Sequence, residues 1–340
     1  MKYIIIYTFS LMSVFHTSCG QSQTNSPQDN FSKKHNGLSE SQLKELATSR
    51  VPMGQVRHIK QARNGDILIA ATWSGAFRYD GKSFTKLTSK LGWHRFWDVL
   101  EDRRGNLWFA SLDSGVYYYN GKTFQHFTTR EGLANNAVMS IYEDRAGIIW
   151  FGGSGLSRYD GKSLQSFTTK DGLPYDGGNA IMEDKTGKLW FVTGDGPCFY
   201  DGKTFTVLKN KDGKGFKNVW SIIEDKKGNI WFGDIDGLWR YDGSNFTKVS
   251  QRGAYAIIED KNGNIWTTGF LNLKVSALSR YDAKSLYNKM PTATEIMSGP
   301  PSFLALLEAN DGSIWFGSCG GVYRYDGKTI TDFKSKEGQK

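Results

Sequence analysis

The chain has 340 residues, 39% hydrophobic and 23% charged, with 39 glycines against 7 prolines. That balance excludes a disordered Gly-Pro chain, and 14% aromatics, 11 Trp among them, supply a large core. The formal charge of +9 is interleaved with acid, as in Lys82, Lys122, Lys162, Lys203 and Lys328 beside their aspartates, so it forms no basic patch and nucleic acid is not an expected partner.

The first element in chain order is an export signal. Lys2 precedes the mostly apolar run Tyr3 to Phe15. That run is shorter than the roughly 20 residues a bilayer span needs. Thr17-Ser18-Cys19 follows and resembles the lipobox of bacterial lipoproteins, although His16 stands where that family prefers an aliphatic residue. The resemblance implies a lipoprotein signal peptide over 1–18, cleaved before Cys19, and a lipid on that cysteine. An ordinary secretory signal and a retained membrane helix are the alternatives. Residues 19–50 read as a flexible linker with a short helix at Ser39 to Ala47, because the segment has few apolar groups to bury. The expected address is the cell envelope, lipid-anchored, at the outer membrane facing the periplasm or the cell surface. Cys198 and Cys319 are too few for a disulfide framework and are expected as free, half-buried thiols. No Cys/His cluster has zinc spacing, so neither a metal nor a cofactor is expected.

From about residue 51 the chain is periodic. A clear copy is Glu224-Asp225-Lys226-Lys227-Gly228-Asn229-Ile230-Trp231-Phe232-Gly233, then Gly237-Leu238-Trp239-Arg240-Tyr241-Asp242-Gly243, then Asn245-Phe246-Thr247. Leu68, Trp108, Trp150, Trp190, Trp231, Trp266 and Trp315 hold one register, at steps of 40, 42, 40, 41, 35 and 49. Seven units of this period, each with four short strands, predict an all-β, seven-bladed propeller of four-stranded antiparallel blades over 51–338, a single domain. Within a unit, Val219 to Glu224, Ile230 to Gly233, Leu238 to Tyr241 and Phe246 to Val249 are the predicted strands. Asp-x-x-Gly closes the first hairpin, and Asp242-Gly243 is read as a two-residue turn. The register tryptophans are read as core plates, since one sheet cannot bury both of its faces alone. Both chain ends supply whole units, so the last blade is expected to meet the first without exchanging a strand.

These units resemble the two-component regulator propeller repeat, whose pattern is a Glu-Asp turn, Gly-x-Ile-Trp-Phe-Gly and Gly-Leu-x-Arg-Tyr-Asp-Gly. Units two, three, five and seven carry it well, and the resemblance covers roughly residues 55 to 334. In that family the repeats form the periplasmic sensing part of hybrid histidine kinases. The resemblance implies a sensor-like input propeller; no second propeller, membrane helix or kinase motif follows before Lys340.

The two repeated turns must share one face, which leaves the other face to loops of varying length, where binding sits on a rigid scaffold. Those loops include Leu91 to Phe96 with Trp93 and His94, Leu133 to Asn136, Tyr175 to Asn179, Gly215 to Asn218, Phe270 to Ala277 and Tyr287 to Pro301. Four residues before the Glu of each turn, at the expected channel mouth, stand Arg57, Trp97, Met139, Asn179, Trp220, Tyr255 and Leu304. Aromatics, an Arg and an Asn suit a small polar ligand with a flat or apolar face, such as a sugar or a peptide end. Plugging of a narrow channel is the alternative. Arg57, Trp97, Asn179, Trp220, Tyr255, Trp93 and His94 are the candidate binding residues, and an envelope protein is the other candidate partner of an expected monomer. A second reading is a propeller lyase or hydrolase similar to streptogramin lyases, with His58, His94 and Asp98 grouped at the mouth.

Overall fold

The computed structural model describes residues 38–334 apart from 175–176, 194–195, 211–214, 217, 273–274, 289–290 and 301. The signal peptide 1–18, Cys19 and most of its linker lie outside these residues, as do Tyr175, Asp176 and Lys217 of the variable loops and the 335–338 end of the propeller range. The described strands form seven four-stranded antiparallel sheets, each in chain order from inner to outer strand. Blade 3 gives the plan, with Val138–Glu143, Ile149–Gly153, Gly155–Tyr159 and Leu164–Phe167 side by side. The inner strands of successive blades touch all the way round, and blade 7 meets blade 1 with neither lending a strand.

The repeat explains the closure. Adjacent residues on a strand point to opposite faces, so a Trp-Phe pair plates both sides of a blade. Trp150 packs with Leu189, Phe191 and Cys198 of blade 4, whereas Phe151 packs with Trp108 of blade 2. One such apolar cluster fills each of the seven joints, the blade 7 to blade 1 joint included. Leu68 takes the tryptophan's place in blade 1 and is fully buried. The glycine after the pair allows close approach: a Cβ on Gly152 would lie 2.3 Å from the carbonyl oxygen of Gly178, where the chain enters blade 4.

The Glu-Asp turns have two jobs. In blades 2 to 6 the Asp carboxylate accepts the indole N–H of the register tryptophan, as Asp225 does from Trp231 at 2.8 Å, and it also accepts turn amides. The Glu reaches the preceding blade. Glu101, Glu143, Glu183, Glu224, Glu259 and Glu308 accept the backbone N–H of Arg63, Arg103, Arg145, Lys185, Lys226 and Lys261 at 2.7–2.9 Å. Each of those cations in turn donates to turn carbonyls of the following blade. At the closing joint the pair is neutral, with Asn310 N donating to Gln61 Oε1 at 2.9 Å. The glycine of each Asp-x-x-Gly position adopts φ between 81° and 94°, a left-handed conformation that favours glycine.

Three expectations change. The Tyr-Asp-Gly turn holds four residues, not two: Tyr241 pairs with Phe246, Asp242 N donates to Asn245 O, and the Asp242 carboxylate accepts from Ser244 N and Asn245 N. The Asp side chain closes the longer loop by bonding backbone amides two and three residues on, in the manner of an Asx turn. In blade 6 the fourth strand is Ala293–Gly299, inside the stretch expected to be a mouth loop. The insertion therefore lies between the third and fourth strands on the turn face, where Arg240 and Lys227 sit over the ring of Tyr287 at 4.4 and 3.9 Å. Cys198 is a free buried thiol whose pKa burial pushes up to about 12, but Cys319 is disulfide-bonded.

Before blade 1, Glu40–Thr48 forms a helix capped by Ser39, whose side chain and backbone exchange hydrogen bonds with Gln42. Leu43 is buried, and Lys86 of blade 1 donates to the Ala47 carbonyl at 2.6 Å, near the helix C-terminus. No described helix is long and apolar enough to cross a membrane.

Candidate functional site: the channel mouth

The inner strands converge on a central cavity of about 420 Å3. All seven residues counted back from the turns line it: Arg57, Trp97, Met139, Asn179, Trp220, Tyr255 and Leu304. Two backbone devices aim them. In blades 1, 2, 3 and 7 the ladder skips a residue at the start of the inner strand, and the skipped residues are Arg57, Trp97, Met139 and Leu304. A bulge of this kind re-aims its side chain and is frequent beside functional sites. In blades 4, 5 and 6 the residue stands just before the strand, held by one backbone bond: Asn179 N to Val192 O, Trp220 N to Gly233 O, and Tyr255 N to Thr268 O.

The aromatic residues are organised in two groups. The Arg57 guanidinium lies 4.5 Å from the centre of the Trp97 ring, and its Nε and Nη2 reach Gln55 Oε1 at 3.4 and 3.3 Å. Trp220 and Tyr255 meet edge to face at 6.3 Å, and Tyr255 meets Phe270 in the same way at 5.5 Å. Burial lowers the Arg57 pKa to about 10, partly offset by Tyr255, and burial raises the Tyr255 hydroxyl to about 12. At neutral pH the cation remains charged and the phenol remains protonated.

Asp98 also lines the cavity but is committed elsewhere. It is 1% exposed, and Lys60 Nζ of blade 1 donates to its Oδ2 at 2.8 Å. Ile141 N of blade 3 donates to the same oxygen at 2.8 Å, and Val99 N donates to Oδ1. Lys60 also donates to the Ile141 carbonyl at 3.0 Å. One carboxylate thus ties three blades together. His58 lines the cavity too, with Nδ1 2.8 Å from the Trp97 carbonyl, and burial lowers its pKa.

Trp93 and His94 are not part of this mouth. They line a separate cleft of about 70 Å3 with Trp73, Lys86 and Thr88, at the rim of blades 1 and 2. Trp93 is 50% exposed. His94 Nε2 is 2.9 Å from the Tyr117 hydroxyl, and its Nδ1 is 3.8 Å from Asp113. The group His58, His94 and Asp98 therefore does not assemble, since His94 is held by its own blade. Among the described residues no three His, Cys, Asp or Glu side chains are placed to hold a metal ion. Sequence reasoning missed Gln55 beside Arg57 and Phe270 behind Tyr255; the mixed polar and aromatic loops were the only signal for either.

A family model described as two component regulator propeller matches residues 132–155 and 213–236. No curated protein matches the chain in sequence. Among solved structures, the chain is similar to the extracellular domain of BT3049, described as a hybrid two component system of B. thetaiotaomicron. The TM-score is 0.66 at 22% identity, over 81% of this chain and 39% of that one. It is also similar to virginiamycin B lyase of Staphylococcus aureus, with TM-score 0.64 at 16% identity over 82% of this chain and 96% of that one. PorZ, a surface component of the type-IX secretion system of Porphyromonas gingivalis, aligns with TM-score 0.54 at 17% identity, over 82% and 48% of the two chains. At these identities the likeness is one of fold, and the chain spans about two fifths of the extracellular domain it matches. The two matched segments fall in blades 3 and 5, so the chain carries two-component regulator propeller repeats within a seven-bladed propeller.

Proposed function

We propose that this chain is an envelope propeller, tethered through a lipid on Cys19, that takes a small polar ligand at its channel mouth and serves as a sensor-like input module. One observation carries the reading. Seven side chains from seven blades, otherwise unrelated in sequence, surround one cavity of about 420 Å3 with aromatic edges and a half-buried cation. That volume lies within the range of about 300 to 1,000 Å3 typical of ligand sites, and a few polar groups on an apolar wall are the usual means of orienting a ligand. The fold shared with the extracellular domain of BT3049 supports an input role.

The test is a thermal-shift screen of the full chain against glycans and short peptides, repeated on the paired variant Trp97→Ala with Trp220→Ala. A ligand present at 100 times its Kd adds about 2.7 kcal/mol of stability. The paired variant should keep a cooperative melt and lose at least tenfold in affinity, about 1.4 kcal/mol. Binding that survives this change but falls on Lys122→Ala with Lys162→Ala would place the site on the turn face instead. For the tether, Cys19→Ser should move the protein to the soluble fraction, and a variant that stays with membranes sinks that part. The lipid thioether requires a Cys19 sulfur outside the disulfide that Cys319 forms, so the mass of the mature protein reads the same point independently.

A further inference from the structure

We infer that the mouth recognises its ligand through an anionic group, and that the ligand is a small acidic saccharide whose carboxylate seats on Arg57. This rests on the reading above that the mouth binds a ligand, and it adds the ligand's charge and class.

The mouth presents more hydrogen-bond donors than it has acceptors to meet them. Arg57 has no carboxylate within ion-pair distance among the described residues; its bonds are the two long ones to Gln55. The Tyr255 hydroxyl and the indole N–H groups of Trp97 and Trp220 make no hydrogen bond to the described protein, and Asn179 Nδ2 reaches Val219 O only at 3.5 Å. The mouth is therefore rich in donors. The carboxylate of the channel, Asp98, has already accepted three of them, from Lys60, Ile141 and Val99. Its charge is balanced by Lys60, which leaves the Arg57 charge without a counter-ion. A half-buried cation without an anion costs free energy that a ligand carboxylate recovers, with a planar fork that matches the guanidinium. The lowered pKa of Arg57 agrees with this.

The class follows from the rest of the lining. The cavity is much larger than a lone ion, and the edge-to-face pair Trp220 and Tyr255 of blades 5 and 6 offers an apolar wall to it. The C–H face of a pyranose packs on such a wall while its hydroxyl oxygens accept the free N–H and O–H groups. A peptide end also carries a carboxylate, but its backbone N–H groups can only donate, whereas each sugar hydroxyl can accept as well as donate and so suits a mouth short of acceptors.

The experiment is a titration of the full chain by tryptophan fluorescence with D-glucuronate, its neutral methyl ester, D-glucose and N-acetyl-dialanine. Glucuronate should bind at least tenfold tighter than glucose, the ester should bind like glucose, and N-acetyl-dialanine should bind more weakly than glucuronate. Arg57→Met, which keeps an unbranched side chain at this position and removes the charge, should abolish the preference for the acid. The ester comparison uses unaltered protein and stands even if that variant fails to fold. An ester that binds as well as the acid, or a preference that survives Arg57→Met, overturns the anion subsite. Tighter binding of N-acetyl-dialanine, or no saturable binding of any sugar, overturns the saccharide. If acid and neutral sugar bind equally and Trp220→Ala weakens both, this inference fails while the mouth remains the binding site; if Trp220→Ala weakens neither, the mouth reading fails as well.

Discussion

The two ends of the channel are built from opposite ends of the same seven inner strands, and they treat polar groups differently. At the turn end, six glutamates accept an amide from the preceding blade, five aspartates accept a tryptophan N–H, and Arg103, Arg145, Lys185, Lys226 and Lys261 donate to carbonyls of the following blade. Their charge is spent inside the ring. At the mouth end, Arg57 stacks on Trp97 without a counter-ion, and the hydroxyl and indole donors around it are unmatched within the described residues. A recurring charged motif therefore marks the joints of this fold, while the residues that differ from blade to blade mark the surface with bonding capacity to spare. Side chains with internal partners stabilise; donors left open at a cavity cost stability until something meets them.

Substitutions can break this contrast at either end. The largest effect is expected at Trp231, which is fully buried and bonded to Asp225. Trp231→Ala should lower the unfolding free energy by about 3 to 5 kcal/mol in chemical denaturation. A loss below about 1 kcal/mol would contradict its place in the joint between blades 5 and 6. Asp98→Ala comes next, at about 3 kcal/mol, because it leaves Lys60 and the Ile141 amide without their shared acceptor. Were this variant as stable as the parent, Asp98 would be available for ligand and the mouth would not be donor-rich.

A clasp should cost less. Glu143→Ala removes the acceptor of Arg103 N and should destabilise by about 1 to 2 kcal/mol, with no change in ligand affinity at the mouth. A change in affinity would mean that the two faces are coupled through the blades. The smallest effect belongs to Trp93, half exposed at the rim. Trp93→Ala should shift stability by no more than about 0.5 kcal/mol, and a larger shift would place its ring in the core.

Much of the architecture was legible in the chain itself. The Trp register, the Asp-x-x-Gly turns and the alternating apolar strands repeat because each unit must bury two faces against identical neighbours, so local pattern and global packing carry the same information. Counting back from the turn glutamate found the channel residues for the same reason: the repeat gives every inner strand a common origin. Other features were not legible. No residue type announces the bulges that turn Arg57, Trp97, Met139 and Leu304 into the channel. His94 and His58 lie in adjacent units, yet a hydrogen bond to Tyr117 within blade 2 holds one of them away from the channel. The three-blade tie at Asp98 joins residues 38 and 43 positions apart, and the blade 6 insertion passes to the turn face because its strand resumes only at Ala293. Sequence determines what each unit must bury; only the closed ring decides which polar groups meet a partner across a joint, because those partners belong to different blades and come within reach only when the blades pack together.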